Sequence, residues 1–145
     1  MRTTAEITSL ADAVSDLVND GDTVALEGFT HLIPVAAGQE IIRQRKRDLT
    51  LVRMTPDIVY DQLIGAGCAR KLIFSWGGNP GVGSLHRFRE AVQSHELEIE
   101  EHSHAGMANR YVAAASRKRC SEPTPGLPPQ EKTSSRAHPA PIIWS

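Results

Sequence analysis

The sequence of 145 residues predicts an α/β fold with an open, mainly parallel sheet and helices on both faces. Three observations favour this class. Helical and strand-like patterns alternate from residue 9 to residue 116, with turn residues between them. The four predicted strands begin about 22 to 26 residues apart, which suits right-handed crossovers through a helix. Hydrophobic residues make up 40% of the chain and aromatic residues only 5%, so we expect an aliphatic core.

The first helix and strand have clear boundary signals. Ser9 is typical of an N-cap, and Asp12 stands at the third position of a capping box, which predicts a helix through Asn19. Gly21 follows, where a left-handed backbone residue is expected. Thr23–Leu26 then reads as a short apolar strand.

The middle of the chain repeats this order. Pro34 suits a first helical turn, which predicts a helix toward Arg45. The strand Leu49–Arg53 follows, and Pro56–Ile64 is predicted as the next helix. Lys71–Ser75 is the third predicted strand.

The last predicted elements follow a glycine-rich loop. Ser84 is expected to cap a helix that reaches about Ser94. Leu97–Glu101 is the fourth predicted strand, and a final helix begins near Ala105.

Charge and proline content divide the chain after Ser116. Residues 1–116 carry 11 basic and 15 acidic residues, whereas residues 117–145 carry five basic and two acidic ones together with six of the nine prolines. Proline at this density blocks helix and sheet interiors. We therefore expect a folded domain over 1–116 and a Pro-rich, disordered tail over 117–145.

The overall composition excludes several classes of protein. A net charge of -1 argues against a nucleic-acid binder and against binding to anionic membranes. Two distant cysteines, Cys68 and Cys120, exclude a disulfide scaffold and a four-cysteine zinc site. No signal-peptide pattern and no run of 18 apolar residues occur, so we expect a cytoplasmic protein.

A parallel sheet places its working site beyond the carboxyl ends of the strands, which here means four loops. They are Glu27–His31, Met54–Asp57, Ser75–Ser84 and His102–Gly106.

The loop Gly77–Ser84 is the densest glycine run. Gly78 and Gly83 have the spacing of a P-loop, but the lysine that would contact phosphates is missing. Two interpretations stay open: a tight strand-to-helix turn, or a backbone cradle for a phosphate, carboxylate or thioester oxygen.

Polar residues near the ends of the strands are candidate chemical groups. Glu100, His102 and His104 share one strand face, but a fourth metal ligand is missing at any recognisable spacing, so we expect hydrogen-bonded polar groups and no metal site. Glu27 and Glu101 can act as acid, base or nucleophile, although single carboxylates at such positions are usually structural.

Several of these stretches, in this order, resemble class I CoA-transferase alpha subunits of the glutaconate CoA-transferase type. The resemblance covers about residues 7–116 and corresponds to an incomplete, N-terminal half of such a polypeptide. It rests on Gly21–Thr30 with the following Pro34, on Asp48–Thr50, on Asp61–Gly65, and on Ser75–Phe88 with Arg89.

The chain departs from the family pattern at three places. Glu27 and Leu32 stand where the family usually has glycine. From Arg117 onward the sequence is unrelated in character, and family alpha subunits are about twice as long. We interpret the tail as a shifted reading frame or a mispredicted gene end.

The resemblance implies transfer of coenzyme A between an acyl-CoA and a free carboxylic acid. The nucleophilic glutamate would belong to the beta subunit, so this chain would hold no catalytic nucleophile. It would supply the acyl-binding wall and oxyanion-type N–H donors to a CoA thioester substrate, with no permanently bound cofactor. The residues expected to do so are Gly28, Phe29, Thr30, Gly77, Gly78, Asn79, Gly81 and Gly83.

Three alternatives stay open at the level of the sequence. One is a hydrolase of the same fold, in which Glu101 activates water. The second is a non-catalytic sensor of the sugar-phosphate type. The third is a truncated fragment with no function.

Overall fold

The computed structural model describes residues 7–28, 32–78 and 83–116, and the backbone of residues 142–143. Helices and strands alternate along the described part of the chain. The helices are α1 (Leu10–Leu17), α2 (Val35–Arg43), α3 (Ile58–Gly65), α4 (His86–Gln93) and α5 (His104–Ala115). The strands are β1 (Thr23–Leu26), β2 (Leu49–Val52), β3 (Ala69–Phe74), β4 (Glu98–Glu101) and β5 (Ile142–Ile143).

The strands form one sheet in the order β4-β3-β2-β1-β5, and every neighbouring pair is parallel. The predicted parallel α/β class is therefore confirmed. Residues 117–141, 144 and 145 lie outside the described residues, so the predicted disorder of the tail stays a prediction, while residues 142–143 are placed as β5. Within the described residues, no helix has the length and apolar character that are needed to cross a bilayer.

The core lies between one face of the sheet and a layer of helices. Helices α1, α2, α3 and α4 pack side by side in chain order. Their apolar faces bury the alternate strand residues that point toward them, such as Val24, Leu26 and Leu72. The core is mainly aliphatic, as expected, with Tyr60 and Phe74 as aromatic members. Met107 of α5 is also fully buried but lies outside this cluster.

The other face of the sheet is only partly covered in the described residues. Residues of β1 and β3 that alternate with the core residues, such as Ala25 and Ile73, are half-buried. Parallel strands in complete α/β domains are buried on both faces. The described part of the chain is therefore a partial domain, as the sequence predicted.

The helix caps agree with the sequence in one case and differ in another. The Ser9 hydroxyl accepts the N–H of Asp12 at 3.1 Å, as predicted. Ser84 does not cap α4, because the N-cap position is Leu85 and makes no side-chain hydrogen bond. Instead, the Asp61 carboxylate on α3 accepts the N–H of Phe88 at 2.8 Å. A residue of the neighbouring helix thus satisfies a free N–H group at the start of α4.

The buried Tyr60 hydroxyl joins the carboxyl ends of β1 and β2. It accepts the N–H of Leu26 at 2.9 Å and donates to the carbonyl oxygen of Val52 at 2.8 Å. The paired register of the two strands ends at Ala25 and Val52, so this hydroxyl takes the place of the next direct ladder bond. The strands therefore part at this point, and a crevice opens between their ends.

We expect Tyr60→Phe to lower the free energy of unfolding by about 1–3 kcal/mol, because the buried N–H of Leu26 and the carbonyl of Val52 lose their shared partner. Chemical denaturation measures the effect. Tyr111→Phe is the matched control, since water can reach its half-exposed surroundings and replace the lost bond. Equal losses in the two variants would contradict the bridging role of Tyr60.

We expect Asp61→Ala to destabilise the chain by about 0.5–2 kcal/mol, because α4 loses the acceptor for the N–H of Phe88. Ser84→Ala should change stability little, since the exposed Ser84 hydroxyl contacts only the guanidinium of Arg89. Thermal unfolding of both variants checks the assignment. A larger loss in Ser84→Ala would restore the cap predicted from the sequence.

Candidate functional site

Hydrogen bonds connect neighbouring loops at the carboxyl edge of the sheet. The Ser75 hydroxyl donates to the carbonyl oxygen of Met54 at 2.7 Å and lies 3.0 Å from Nδ1 of His104. The N–H of His102 donates to the carbonyl oxygen of Phe74 at 2.8 Å. The loops after β2, β3 and β4 are thus held against one another at the edge where parallel sheets bind ligands.

Arg53 holds the loop after β1 in place. Its side chain is only 5% exposed, and its Nη1 lies 3.1 Å from Oδ2 of Asp57, the N-cap residue of α3. Its Nη2 donates to the carbonyl oxygen of Gly28 at 2.8 Å, and its Nη1 reaches that of Leu26 at 3.4 Å. A buried ion pair resists loss of either partner, because the remaining charge would be stranded. Arg53 and Asp57 therefore fix the end of β1 relative to α3.

Glu27 lies beside this ion pair and is partly exposed. The Tyr111 hydroxyl on α5 donates to Oε1 of Glu27. Oε2 of Glu27 is 4.0 Å from Nε of Arg53. Burial, together with the hydrogen bond to Glu27, raises the pKa of Tyr111, so its hydroxyl stays protonated and keeps donating at neutral pH. The carboxylate of Glu27 is thus held at the mouth of the crevice between β1 and β2.

Gly28 is required by a close approach of the backbone. A Cβ atom at this position would lie 2.0 Å from the carbonyl oxygen of Leu32, which leaves no room for any side chain. The loop therefore folds tightly back on itself directly after Glu27. Phe29 and Thr30, which the sequence also assigned to the substrate-binding wall, lie outside the described residues.

The glycines of the loop after β3 have structural reasons of their own. A Cβ at Gly77 would lie 3.0 Å from the ring of Phe88, and one at Gly78 would lie 2.7 Å from the ring of Trp76. Gly83 has a φ of +96°, which favours glycine. The two remaining predicted residues of this loop, Asn79 and Gly81, lie outside the described residues.

A groove of about 490 Å³ brings Gly77 and Glu101 together. The rings of Phe74 and Phe88 form its floor and meet edge to face, with centroids 5.5 Å apart. Arg89 adds a positive charge to the lining. Of the site residues predicted from the sequence, the groove therefore unites Gly77 and Glu101. The loop of Glu27 and Gly28 does not line this groove and belongs to the crevice.

Glu100 is surrounded by cationic side chains. Its Oε1 lies 2.7 Å from both Nε2 of His102 and Nη2 of Arg110, and its Oε2 lies 2.8 Å from Nζ of Lys71. Burial alone would raise the pKa of Glu100, but hydrogen bonds from Lys71 and His102 and the charge of Arg110 lower it to about 2.

The three residues of the shared strand face, Glu100, His102 and His104, have separate partners. His102 pairs with Glu100, and His104 contacts Ser75. In the ranges that the structure describes, no group of three or more His, Cys, Asp or Glu side chains is arranged to hold a metal ion.

We expect Glu100→Gln to destabilise the chain at pH 7 by about 1–2 kcal/mol, because a carboxyl with a lowered pKa stabilises the fold only while ionised. The loss relative to the parent chain should shrink as pH falls from 4.5 toward 2, where Glu100 is protonated in the parent chain too. Urea denaturation across this range measures it. Glu98→Gln serves as the control, because that side chain is 59% exposed. A difference that does not vary with pH would contradict the ion-pair role of Glu100.

Four residues of the crevice were missed as site residues by sequence reasoning: Arg53, Asp57, Tyr60 and Tyr111. A charged residue directly after a buried strand is a usable signal for Arg53, and Asp57 four residues later is in reach of it. Tyr111 lies 84 residues from Glu27, and no local pattern indicates their contact.

Known proteins share both the sequence and the fold. Residues 7–119 match the family model described as Coenzyme A transferase. The chain is 73% identical over 115 residues to the alpha subunit of 3-oxoadipate CoA-transferase from Pseudomonas knackmussii; the match covers 77% of this chain and 41% of that protein. The chain thus spans about two fifths of the length of this curated relative.

Solved structures place the fold in the same group. Glutaconate coenzyme A-transferase from Acidaminococcus fermentans has a TM-score of 0.73 at 34% identity, covering 78% of this chain and 36% of that one. The decarboxylase AibA/AibB has a TM-score of 0.70 at 29% identity, covering 76% of this chain and 43% of that one. The family model spans well over half of the sequence and the fold agrees with it, so the chain belongs to the coenzyme A transferase family.

Proposed function

We propose that this chain is the amino-terminal part of the alpha subunit of a heteromeric acyl-CoA:carboxylate CoA-transferase. The observation that carries this proposal is the 73% identity to the corresponding polypeptide of a 3-oxoadipate CoA-transferase. The substrates would be a 3-oxo dicarboxylic acid and CoA thioesters, and the partner would be a beta subunit. The enzyme would work in the cytoplasm.

The chemistry would proceed through covalent intermediates on the beta subunit. The carboxylate of a glutamate there attacks the thioester carbonyl, the CoA thiolate leaves, and an acyl anhydride forms. The thiolate then attacks the glutamyl carbonyl and releases the first carboxylic acid, which leaves a glutamyl-CoA thioester. The second acid attacks this thioester, and reversal of the first two steps yields the new acyl-CoA.

The role of this chain would be to position the substrates. The loop Gly28–Thr30 would form the wall next to the acyl group, and the backbone from Gly77 to Gly83 would offer N–H donors to the developing oxyanion. The ion pair of Arg53 and Asp57 would keep the first of these loops in register. Glu27 would stand at the entrance of the crevice. No residue of this chain acts as nucleophile in this scheme.

A chimera tests the proposal. Residues 1–116 of this chain are joined to the remaining part of the Pseudomonas knackmussii alpha subunit, and the product is co-expressed with a beta subunit. Acyl transfer to a free carboxylic acid and release of free CoA are assayed in parallel. We expect transfer of CoA between 3-oxoadipate and a CoA thioester. A soluble, assembled chimera that is inactive in the transfer assay would contradict the proposal.

In this chimera, we expect Gly78→Val to lower turnover by about 10²–10³-fold, the usual loss when an oxyanion donor is displaced. Gly65→Val is the matched control, because an added side chain at the end of α3 meets only the flexible Arg87 side chain. Full activity of Gly78→Val would reduce the glycine-rich loop to a connection between β3 and α4.

Glu101→Gln separates the transferase from the hydrolase of the same fold. In the transferase the nucleophile lies on the beta subunit, so transfer should persist. In a hydrolase that uses Glu101 to activate water, the variant should abolish release of free CoA.

A further inference from the structure

The two outer positions of the four-stranded core of the sheet, β1 to β4, differ in their protection against further strands. Strand β4 carries the carboxylates Glu98, Glu100 and Glu101 along the outer edge. Charged side chains on an edge strand discourage pairing with another strand. Strand β1, with the sequence Thr-Val-Ala-Leu, carries neither charge nor proline. Its composition is typical of an interior strand.

The backbone of β1 also presents free groups on the side away from β2. The carbonyl oxygen of Asp22 accepts the N–H of Thr50 at 2.9 Å, and the N–H of Leu26 donates to Tyr60. Backbone groups of successive strand residues alternate in direction, so those of Ala25 face the opposite side. Unpaired backbone groups at this position would need another partner.

Strand β5 occupies this side of β1. It runs parallel to β1, with Ala25 opposite Ile142 and Leu26 opposite Ile143. Two consecutive β-branched residues suit an added strand. The tail thus supplies a short apolar segment within a region that is otherwise rich in proline and charge.

We propose that the outer side of β1 is a strand-acceptor site, and that the segment Ile142–Ile143 of this chain is its occupant. Main-chain hydrogen bonds supply the binding energy, as in other cases of strand addition. The segment satisfies an edge that the described residues 7–116 leave open. This pairing is independent of the catalytic activity proposed above.

Two truncations of the chain test this assignment. A chain of residues 1–141 lacks β5, whereas a chain of residues 1–143 keeps it and serves as the matched control. Amide hydrogen exchange is measured at Ala25, which faces β5, and at Thr50, which pairs on the other side of β1. We expect the ratio of the Ala25 to the Thr50 protection factor to fall about tenfold or more in the 1–141 chain only.

The other outcomes of these truncations also decide the assignment. An insoluble 1–141 chain beside a soluble 1–143 chain would support the site, because an open strand edge promotes aggregation. An unchanged ratio in the 1–141 chain would overturn it. Equal loss of the ratio, or of solubility, in both truncations would overturn it too, since Trp144 and Ser145 would then be the residues that matter.

Discussion

The carboxyl end of the sheet depends on one buried hydroxyl group. Tyr60 stands between the N–H of Leu26 and the carbonyl oxygen of Val52, where a direct bond would otherwise continue the ladder. Burial raises the pKa of this phenol well above its ordinary value, so the group remains protonated and keeps donating at neutral pH. By spacing β1 from β2, it creates the volume in which the charged side chains of the crevice lie.

The guanidinium of Arg53 can be buried only because that space exists and is lined with acceptors. Its centre lies 5.6 Å from the centroid of the Tyr60 ring, and Asp57 and the carbonyl oxygen of Gly28 accept its N–H groups. The cost of desolvating an arginine is offset only when such partners are fixed in advance. The turn at Gly28 and the position of Glu27 therefore follow from the same spacing of the strands.

Local patterns predicted the elements well, because strand and helix periodicity and turn residues act over a few positions. The alternation, the parallel class and the Ser9 cap all belong to this level. Contacts between distant elements were not predictable in this way. Asp61, not Ser84, serves the start of α4, because the packing of α3 against α4 brings its carboxylate there from 27 residues away. The Glu27 and Tyr111 contact depends on the fold in the same manner.

The distribution of charge over the sheet agrees with its partial coverage. Carboxylates on β4 are balanced by Lys71 and Arg110, so this edge is both charged and internally neutralised. Such a strand tolerates solvent and does not need a neighbour. Strand β1 has no such side chains, and its half-buried outer residues require additional polypeptide to become fully buried. The chain thus has one edge that its sequence completes and one edge that its sequence leaves to be covered, as expected for a segment that spans two fifths of a longer relative.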